Sequence, residues 1–235
     1  MGASLGTSRS LRVVAALLLL GLTAQSDVSE PFGLATIAAP EGPLWTVWRK
    51  LQRQIKAEQP IIARCRAQPH ACDSPAALRF IAIVNEGKQR EGLARIGNIN
   101  RAVNLAIRAD NNTEPDGARD EWTSPLAALT AGAGDCKQYA VVKYAALRDA
   151  GFPADDLRLL ILQMKPGRIR HAAVALRYEE RWLILDNRTL ALVESSDVLG
   201  HYVPLYAFDY RGVRQFGTPQ GPAQKIAGAT CDLHS

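Results

Sequence analysis

The chain has 235 residues, of which 47% are hydrophobic and 22% charged, and this is the composition of a folded protein rather than of a disordered chain. Its formal net charge of +5 is small, and its Lys and Arg residues are dispersed without interleaved aromatic residues. This pattern argues against a nucleic-acid-binding protein. The length predicts one domain of ordinary size preceded by a leader.

The N-terminus has the pattern of a secretory signal peptide. Arg9 and Arg12 precede an apolar run over residues 13–22, and the Ala-Gln-Ser of residues 24–26 offers the small side chains that a signal peptidase reads. We therefore predict a signal peptide over residues 1–26 and export of the chain. An uncleaved anchor is the alternative, but a membrane-spanning helix needs about 20 apolar residues and the run is shorter.

Helical periodicity dominates the first half of the remaining chain. After an extended lead-in over residues 27–43, apolar residues recur at three- and four-residue steps. Ser74 is a predicted N-cap with a proline just after it. The polar stretch 109–119 is rich in Asn, Asp, Pro and Gly and is predicted to be a loop. The three predicted helices cover residues 43–63, 74–91 and 96–107.

The four cysteines fall into different settings. Cys65 and Cys72 lie close together in a polar stretch, so in an oxidising compartment a local disulfide is the natural interpretation. A zinc site is a weaker alternative, because only His70 lies nearby and no second Cys pair exists. Cys231 is within five residues of the C-terminus, whereas Cys136 follows a Gly-rich turn.

The second half of the chain combines one helix with strands. A helix is predicted over residues 137–150, with Gly151 ending it. Two of the predicted strands form a hairpin that turns at Glu179 and Glu180. Helices in the first half with a helix and antiparallel strands in the second indicate an α+β fold. The predicted strands cover residues 157–164, 171–178 and 182–186.

Cys136 opens the predicted helix, and this position suits a nucleophile. The unpaired N–H groups and the positive dipole end of a helix N-terminus stabilise a thiolate and lower the pKa of the thiol. The same N–H groups can receive an oxyanion. A single cysteine is also commonly a plain buried hydrophobic residue, so the interpretation depends on a base and on a group that orients the base.

His171 begins one strand of the hairpin, and Asp186 ends the other. If the turn has two residues, Tyr178 pairs with Arg181, and His171 lies diagonally from Asp186 on the same face at roughly 7–8 Å. A three-residue turn would place the two on opposite faces. Each has an ordinary alternative, a polar contact for the histidine and a strand-ending turn for the aspartate. Together, in the chain order of papain-like and transglutaminase-like enzymes, they predict a triad with Cys136.

Two motifs resemble those of the bacterial transglutaminase-like cysteine proteinases of the LapG type: GAGDCKQYAVVKYAALRDAGFPADDLRLLIL and HAAVALRYEERWLILDNRT. The upstream segments PLWTVWRKLQ, ARIGNINRAVNLAIR and WTSPLAAL also resemble this family, so the resemblance covers about residues 32–216. It implies a papain-like, transglutaminase-like fold, in which N-terminal helices and a nucleophile helix pack on a small antiparallel sheet. The protease domain is then expected over residues 44–218, with a C-terminal tail over 219–235.

Matched residue by residue, the resemblance makes Cys136 the nucleophile, His171 the base and Asp186 the orienting acid. It further implies a periplasmic cysteine endopeptidase that clips a large surface adhesin near its N-terminus, at an Ala-Ala-type sequence, and so disperses a biofilm. Relatives are held in check by an inner-membrane receptor for cyclic di-GMP, which is an expected partner. The alternatives are an acyltransferase with the same triad and a non-catalytic regulatory homologue.

One departure from the family concerns calcium. Relatives carry acidic residues after the cysteine, in a G-D-C-E-D pattern, and bind calcium there, whereas Lys137 and Gln138 occupy those positions here. Calcium requires several oxygen ligands, and a lysine ammonium supplies none. Asp135 remains as a weak candidate ligand, with Asp116 and Asp120 available from the preceding loop. We therefore predict weak or absent calcium binding and no required cofactor.

Trp122 is a further candidate at the site. Transglutaminase-like enzymes can use an indole N–H near the oxyanion, and tryptophan is a hydrogen-bond donor only. The alternative is a buried aromatic residue that packs the loop.

Overall fold

The computed structural model describes residues 1–2, 30–110, 122–167 and 169–217. The predicted C-terminal tail, and all but the first two residues of both the predicted signal peptide and the predicted loop, lie outside these residues. Within them, none of the helices is both long enough and apolar enough to cross a membrane.

Helices form where the sequence predicted them, with one addition. The hydroxyl of Ser74 accepts a hydrogen bond from the backbone N–H of Ala77 at 3.2 Å and caps the second helix as predicted. A short helix that was not predicted begins at Pro125 and ends before Gly132, whose φ of 62° suits glycine. In the described part, the helices are α1 (Pro43–Ala67), α2 (Pro75–Lys88), α3 (Gly92–Ala106), α4 (Pro125–Ala131) and α5 (Cys136–Asp149).

The strands form a larger sheet than the three predicted strands alone. They are β1 (Thr36–Ala38), β2 (Arg108–Ala109), β3 (Ala133–Gly134), β4 (Leu157–Met164), β5 (Arg170–Tyr178), β6 (Arg181–Leu185), β7 (Val193–Glu194), β8 (Tyr202–Asp209) and β9 (Gly212–Phe216). Seven of them form an antiparallel sheet in the order β1-β9-β8-β4-β5-β6-β7, and β2 pairs with β3 in parallel. The α+β class is confirmed.

The β5–β6 hairpin has the two-residue turn on which the triad prediction depended. Tyr178 pairs with Arg181, as predicted. The two turn residues, Glu179 and Glu180, have φ values of 48° and 63°, which match the backbone twist of a tight antiparallel hairpin. Because Val174 pairs with Leu185, the same register continues toward Ala173 opposite Asp186.

Helix α5 is the central element of the core. Its residues from Cys136 to Leu147 are all buried, and it packs against β4 and β5 on one side and against α3 and α4 on the other. Trp48 of α1 completes this core by stacking on Phe208 of β8, with ring centroids 5.4 Å apart. The N-terminus of α5 is therefore fixed against the sheet.

The predicted disulfide between Cys65 and Cys72 is confirmed. It joins the end of α1 to the residues that precede α2. In an exported protein this bond closes a short loop and limits the freedom of the unfolded chain.

Candidate active site

The start of α5 is held by side chains on both sides of Cys136. Asp135 Oδ1 accepts the backbone N–H of Lys137 at 2.9 Å, and Gln138 Oε1 accepts the backbone N–H of Asp135 at 3.0 Å, which together form a capping box. A Cβ on Gly134 would lie 2.7 Å from the Cβ of Gln138, so only glycine fits there. This local structure makes Cys136 the first residue of the helix.

The sulfur of Cys136 lies against strand β5. The backbone N–H of Ala172 donates to Cys136 Sγ at 3.1 Å, and Ala172 directly follows His171. A hydrogen bond to the charged form of a group favours that form, so in a reduced protein the same donor would favour a thiolate. No local pattern in the sequence predicts this donor, because the contact depends on how α5 docks on the sheet.

The structure brings His171 and Asp186 into direct contact. His171 Nε2 lies 2.8 Å from Asp186 Oδ1. The other ring nitrogen, Nδ1, is buried and has no hydrogen-bond partner among the described residues. With Nε2 bound to the carboxylate, Nδ1 is the ring nitrogen left for proton transfer.

Asp186 is held by further donors besides the imidazole. Its Oδ1 also accepts the backbone N–H of Arg188 at 3.0 Å, and its Oδ2 accepts the hydroxyl of Tyr202 at 2.8 Å. Burial opposes ionisation, but the charge and hydrogen bond of His171, with these two donors, hold the pKa of Asp186 below its usual range. The carboxylate is therefore ionised at neutral pH.

Tyr202 was not predicted from the sequence. Its ring stacks parallel to the His171 ring, with centroids 5.5 Å apart and 4° between the planes. Burial, followed by the charge of Asp186, raises the pKa of Tyr202, so its hydroxyl stays a donor. Tyr202 therefore orients both the base and the acid of the predicted triad.

The three predicted triad residues are deeply buried. Cys136 is 0% exposed, His171 1% and Asp186 4%. The Cys136 sulfur is held in a disulfide bond, and none of the cysteines in the described part of the chain is a free thiol. Because a disulfide sulfur cannot attack a carbonyl, this is a closed, oxidised form of the site, and catalysis requires reduction and access for the substrate.

Activity is therefore expected to depend on a reductant. We expect the protein to cleave a peptide only when dithiothreitol is added, because the proposed nucleophile is the reduced sulfur. The Cys65→Ser/Cys72→Ser variant should keep the wild-type dependence. Equal activity of the wild type with and without dithiothreitol would contradict this expectation.

Trp122 lies in the hydrophobic core. It is buried, and its ring meets Phe208 edge-on with centroids 5.9 Å apart. This packing accounts for a large aromatic residue at this position. The predicted role of its indole at the oxyanion stays a prediction.

The residues that follow the cysteine do not fit a calcium ion. Lys137 Nζ lies 2.7 Å from Asp135 Oδ2, and its side chain is 1% exposed, so an internal ammonium occupies the position next to this carboxylate. The other oxygen of Asp135 caps α5. The described residues contain no group of three or more His, Cys, Asp or Glu that could hold a metal. Asp116 and Asp120 lie outside the described residues.

Comparisons with known proteins match this geometry. The family model described as bacterial transglutaminase-like cysteine proteinase matches residues 54–205. A Legionella pneumophila LapG structure is 21% identical, covers 72% of this chain and 87% of its own, and has a TM-score of 0.52. The calcium-bound form is 19% identical over 77% of this chain and 94% of its own, with a TM-score of 0.53. No curated protein matches significantly. At these identities, the structural likeness establishes the fold.

The calcium-bound relative makes calcium binding a direct test of the Lys137 substitution. We expect calorimetric titration of the metal-free protein with calcium to give no binding heat, because the ammonium repels the ion and supplies no ligand. The double variant Lys137→Glu/Gln138→Asp, which restores two carboxylates, should gain a measurable heat. Micromolar affinity of the wild type would refute the expectation.

Proposed function

The chain belongs to the bacterial transglutaminase-like cysteine proteinases, and we propose that it hydrolyses peptide bonds through Cys136, His171 and Asp186. The observation that carries this proposal is a chain of contacts across two strands. The sulfur accepts a hydrogen bond from the residue after His171 at 3.1 Å, and the imidazole is bound to the carboxylate at 2.8 Å. These contacts support the proposed roles of nucleophile, base and orienting acid for the three residues.

The reaction follows as acyl transfer to water. The Cys136 thiolate attacks the substrate carbonyl, and the imidazolium of His171 protonates the leaving amine. Neutral His171 then activates water, which hydrolyses the thioester. The backbone N–H of Cys136, at the tip of α5, donates to the oxyanion together with a second donor. Asp186 keeps the proton of the neutral ring on Nε2, so that Nδ1 remains the basic nitrogen.

An acyltransferase would use the same triad and pass the thioester to an amine. The two activities are distinguished by measuring the mass of the product after the reduced protein is incubated with a peptide and a primary amine. Hydrolysis gives a new carboxylate, whereas acyl transfer gives the amide of the added amine. We expect the carboxylate product. If the amide were the dominant product, the proposed hydrolysis would be rejected in favour of acyl transfer.

The proposed substrate is a large surface adhesin, cut near its N-terminus at an Ala-Ala-type sequence in the periplasm. The resemblance of the GAGDCKQYAVVKYAAL and LDNR motifs to LapG-type proteases supports this proposal. Release of the adhesin would disperse a biofilm, and an inner-membrane cyclic di-GMP receptor is the proposed inhibitor. Export through a cleaved signal peptide over residues 1–26 belongs to the same proposal.

The substrate proposal has its own test. The reduced protein is incubated with the N-terminal region of a repeat-rich adhesin encoded in the same genome, and the fragments are sequenced. We expect one cut beside an Ala-Ala pair and none with Cys136→Ala. An intact adhesin, under conditions in which a short peptide is cleaved, would reject the adhesin but keep the protease.

A further inference from the structure

The segment that follows strand β6 begins with Asp186, the proposed orienting acid. Strand β6 ends at Leu185 and β7 begins at Val193, and residues 186–192 between them, the 186–192 segment, belong to no helix or strand. Residues within a strand are held by the hydrogen bonds of the sheet, whereas this segment needs other contacts to fix its backbone. The position of the Asp186 backbone therefore depends on those contacts.

Asn104 of α3 holds the first bend of the 186–192 segment. Its Nδ2 donates to the backbone carbonyl of Asp186 at 3.1 Å and to that of Thr189 at 3.2 Å. A side-chain amide carries two N–H donors, so one group can serve both carbonyls. It ties together the first and fourth residues of the bend, which a backbone hydrogen bond joins in an ordinary β-turn. The bend that presents the Asp186 carboxylate is therefore closed from α3.

A second asparagine of α3 continues this contact. Asn100 is 0% exposed, and its Nδ2 lies 3.4 Å from the carbonyl oxygen of Thr189 and 3.3 Å from that of Leu190. It precedes Asn104 by four residues, so both amides lie on one face of α3. The two side chains together follow the backbone of the segment from Asp186 to Leu190.

Helix α3 is well packed and so supports these amides. Its residues Ile96, Ile99 and Val103 are each 0% exposed, and the helix packs against α2 and α5. Because α5 begins with Cys136, α3 contacts both the helix of the proposed nucleophile and the segment of the proposed acid. This arrangement fixes the acid relative to the rest of the site through the interior of the protein.

The direction of the Asp186 carboxylate depends on where its backbone lies. Asp186 Oδ1 lies 2.8 Å from His171 Nε2, and a short side chain follows any displacement of its own backbone. A displacement of about 1 Å at a catalytic group can lower a rate by about 100-fold. Contacts that hold the Asp186 backbone therefore bear on catalysis although they do not contact the reacting atoms.

We propose that Asn104 is a positioning residue: by holding the carbonyls of Asp186 and Thr189, it fixes the backbone of Asp186 and so directs the carboxylate at His171 Nε2. The inference rests on the proposed function of the triad. In this role Asn104 acts through Asp186 and takes no part in the chemistry itself.

The experiment compares Asn104→Ala with Asn98→Ala in the reduced protein by steady-state peptide hydrolysis. Asn98 lies on the same helix, but its Nδ2 donates to Glu86 of α2 at 3.2 Å, so Asn98→Ala should keep the wild-type kcat. For Asn104→Ala we expect kcat to fall about 10- to 100-fold with KM unchanged. Alanine favours a helix, so α3 should still form.

Asn104→Asp separates the loss of the donors from the loss of side-chain volume. A carboxylate has nearly the shape of the amide but donates no hydrogen bond at neutral pH. This variant should therefore lose at least as much kcat as Asn104→Ala without leaving a gap. Wild-type kcat in both variants, or a loss confined to KM, overturns the proposal.

A double-mutant cycle with Asp186→Asn separates positioning from a general loss of stability. If Asn104 acts through the Asp186 carboxylate, Asn104→Ala should lower the residual kcat of Asp186→Asn by less than about 2-fold. Thermal unfolding in dithiothreitol verifies that each variant is folded at the assay temperature. A loss of kcat by the same factor in both backgrounds overturns the proposal, because a packing defect would act independently of the carboxylate.

Cys136→Ala in the same assay distinguishes this inference from the proposed function. If the wild type and Cys136→Ala cleave equally, or neither cleaves, the proposed function fails and the role of Asn104 falls with it. If only Cys136→Ala is inactive while both Asn104 variants match the wild type, the triad stands and the role of Asn104 is rejected.

Discussion

Cys136→Ala is expected to abolish peptide cleavage, with a loss of kcat on the order of 10⁶-fold, the scale seen when a nucleophile is removed from a hydrolytic triad. The Sγ atom is the proposed nucleophile, and no other group in the site can form the thioester. The fold should survive, because alanine is smaller and suits a helix. The lost sulfur contacts, including the Ala172 N–H bond, should cost about 1–3 kcal/mol. Peptide hydrolysis and thermal unfolding in dithiothreitol measure both effects.

The Cys65→Ala/Cys72→Ala variant is the matched control. Cys65 is also 0% exposed, but its disulfide joins α1 to the residues before α2, outside the site built around Cys136. This variant should lose stability and keep its kcat. Cleavage retained by Cys136→Ala would eliminate the proposed mechanism.

Asp186→Asn should lower kcat by about 10⁴-fold, as an equivalent change does in a serine protease. The carboxylate accepts the Nε2 proton of His171 and leaves Nδ1 basic. An amide can donate instead, which favours the tautomer protonated at Nδ1 and removes the base. Steady-state kinetics near neutral pH measure the loss.

The pH dependence of stability provides a second readout for Asp186. The pKa of Asp186 in the folded protein lies below its unfolded value of about 3.9. The contribution of this carboxylate to stability is therefore complete above the unfolded value and is lost as the pH falls through the folded pKa. Acid should therefore destabilise the wild type more than Asp186→Asn. Urea unfolding at several pH values tests this expectation.

Tyr202→Phe is the matched control for the carboxylate. It keeps the ring that stacks on His171 and removes one hydrogen bond to Asp186, so a loss of about 10-fold is expected. If Asp186→Asn retained more activity than Tyr202→Phe, the carboxylate would not be the orienting acid.

Local sequence signals predicted the helices α1, α2, α3 and α5 and the hairpin that holds His171. Apolar periodicity, the cap at Ser74 and the two-residue turn at Glu179 and Glu180 are properties of neighbouring residues. Because side chains alternate across a strand, the turn length also brought His171 and Asp186 to one face. The contact between them could therefore be predicted before the fold was known.

The remaining site residues depend on long-range pairing. Strand β8, which carries Tyr202, pairs with β4 although more than 30 residues separate them in the chain, and it contains Pro204, which argues against a strand in a single sequence. The bond from Ala172 to the sulfur arises from the docking of α5 on the sheet, and the bonds from Asn104 arise from the contact of α3 with the residues after β6. No periodicity within one segment reports such contacts.

The central claim is that Cys136, once reduced, is a thiolate held by His171, and alkylation tests it most directly. The reduced protein is treated with iodoacetamide at about pH 5.5, where an ordinary thiol of pKa near 8.5 is protonated, and labelling of Cys136 is followed by mass spectrometry. The account predicts fast labelling of the wild type and labelling at least about 10-fold slower in His171→Ala. Labelling that is slow in both proteins and rises with pH like that of a free cysteine would contradict it.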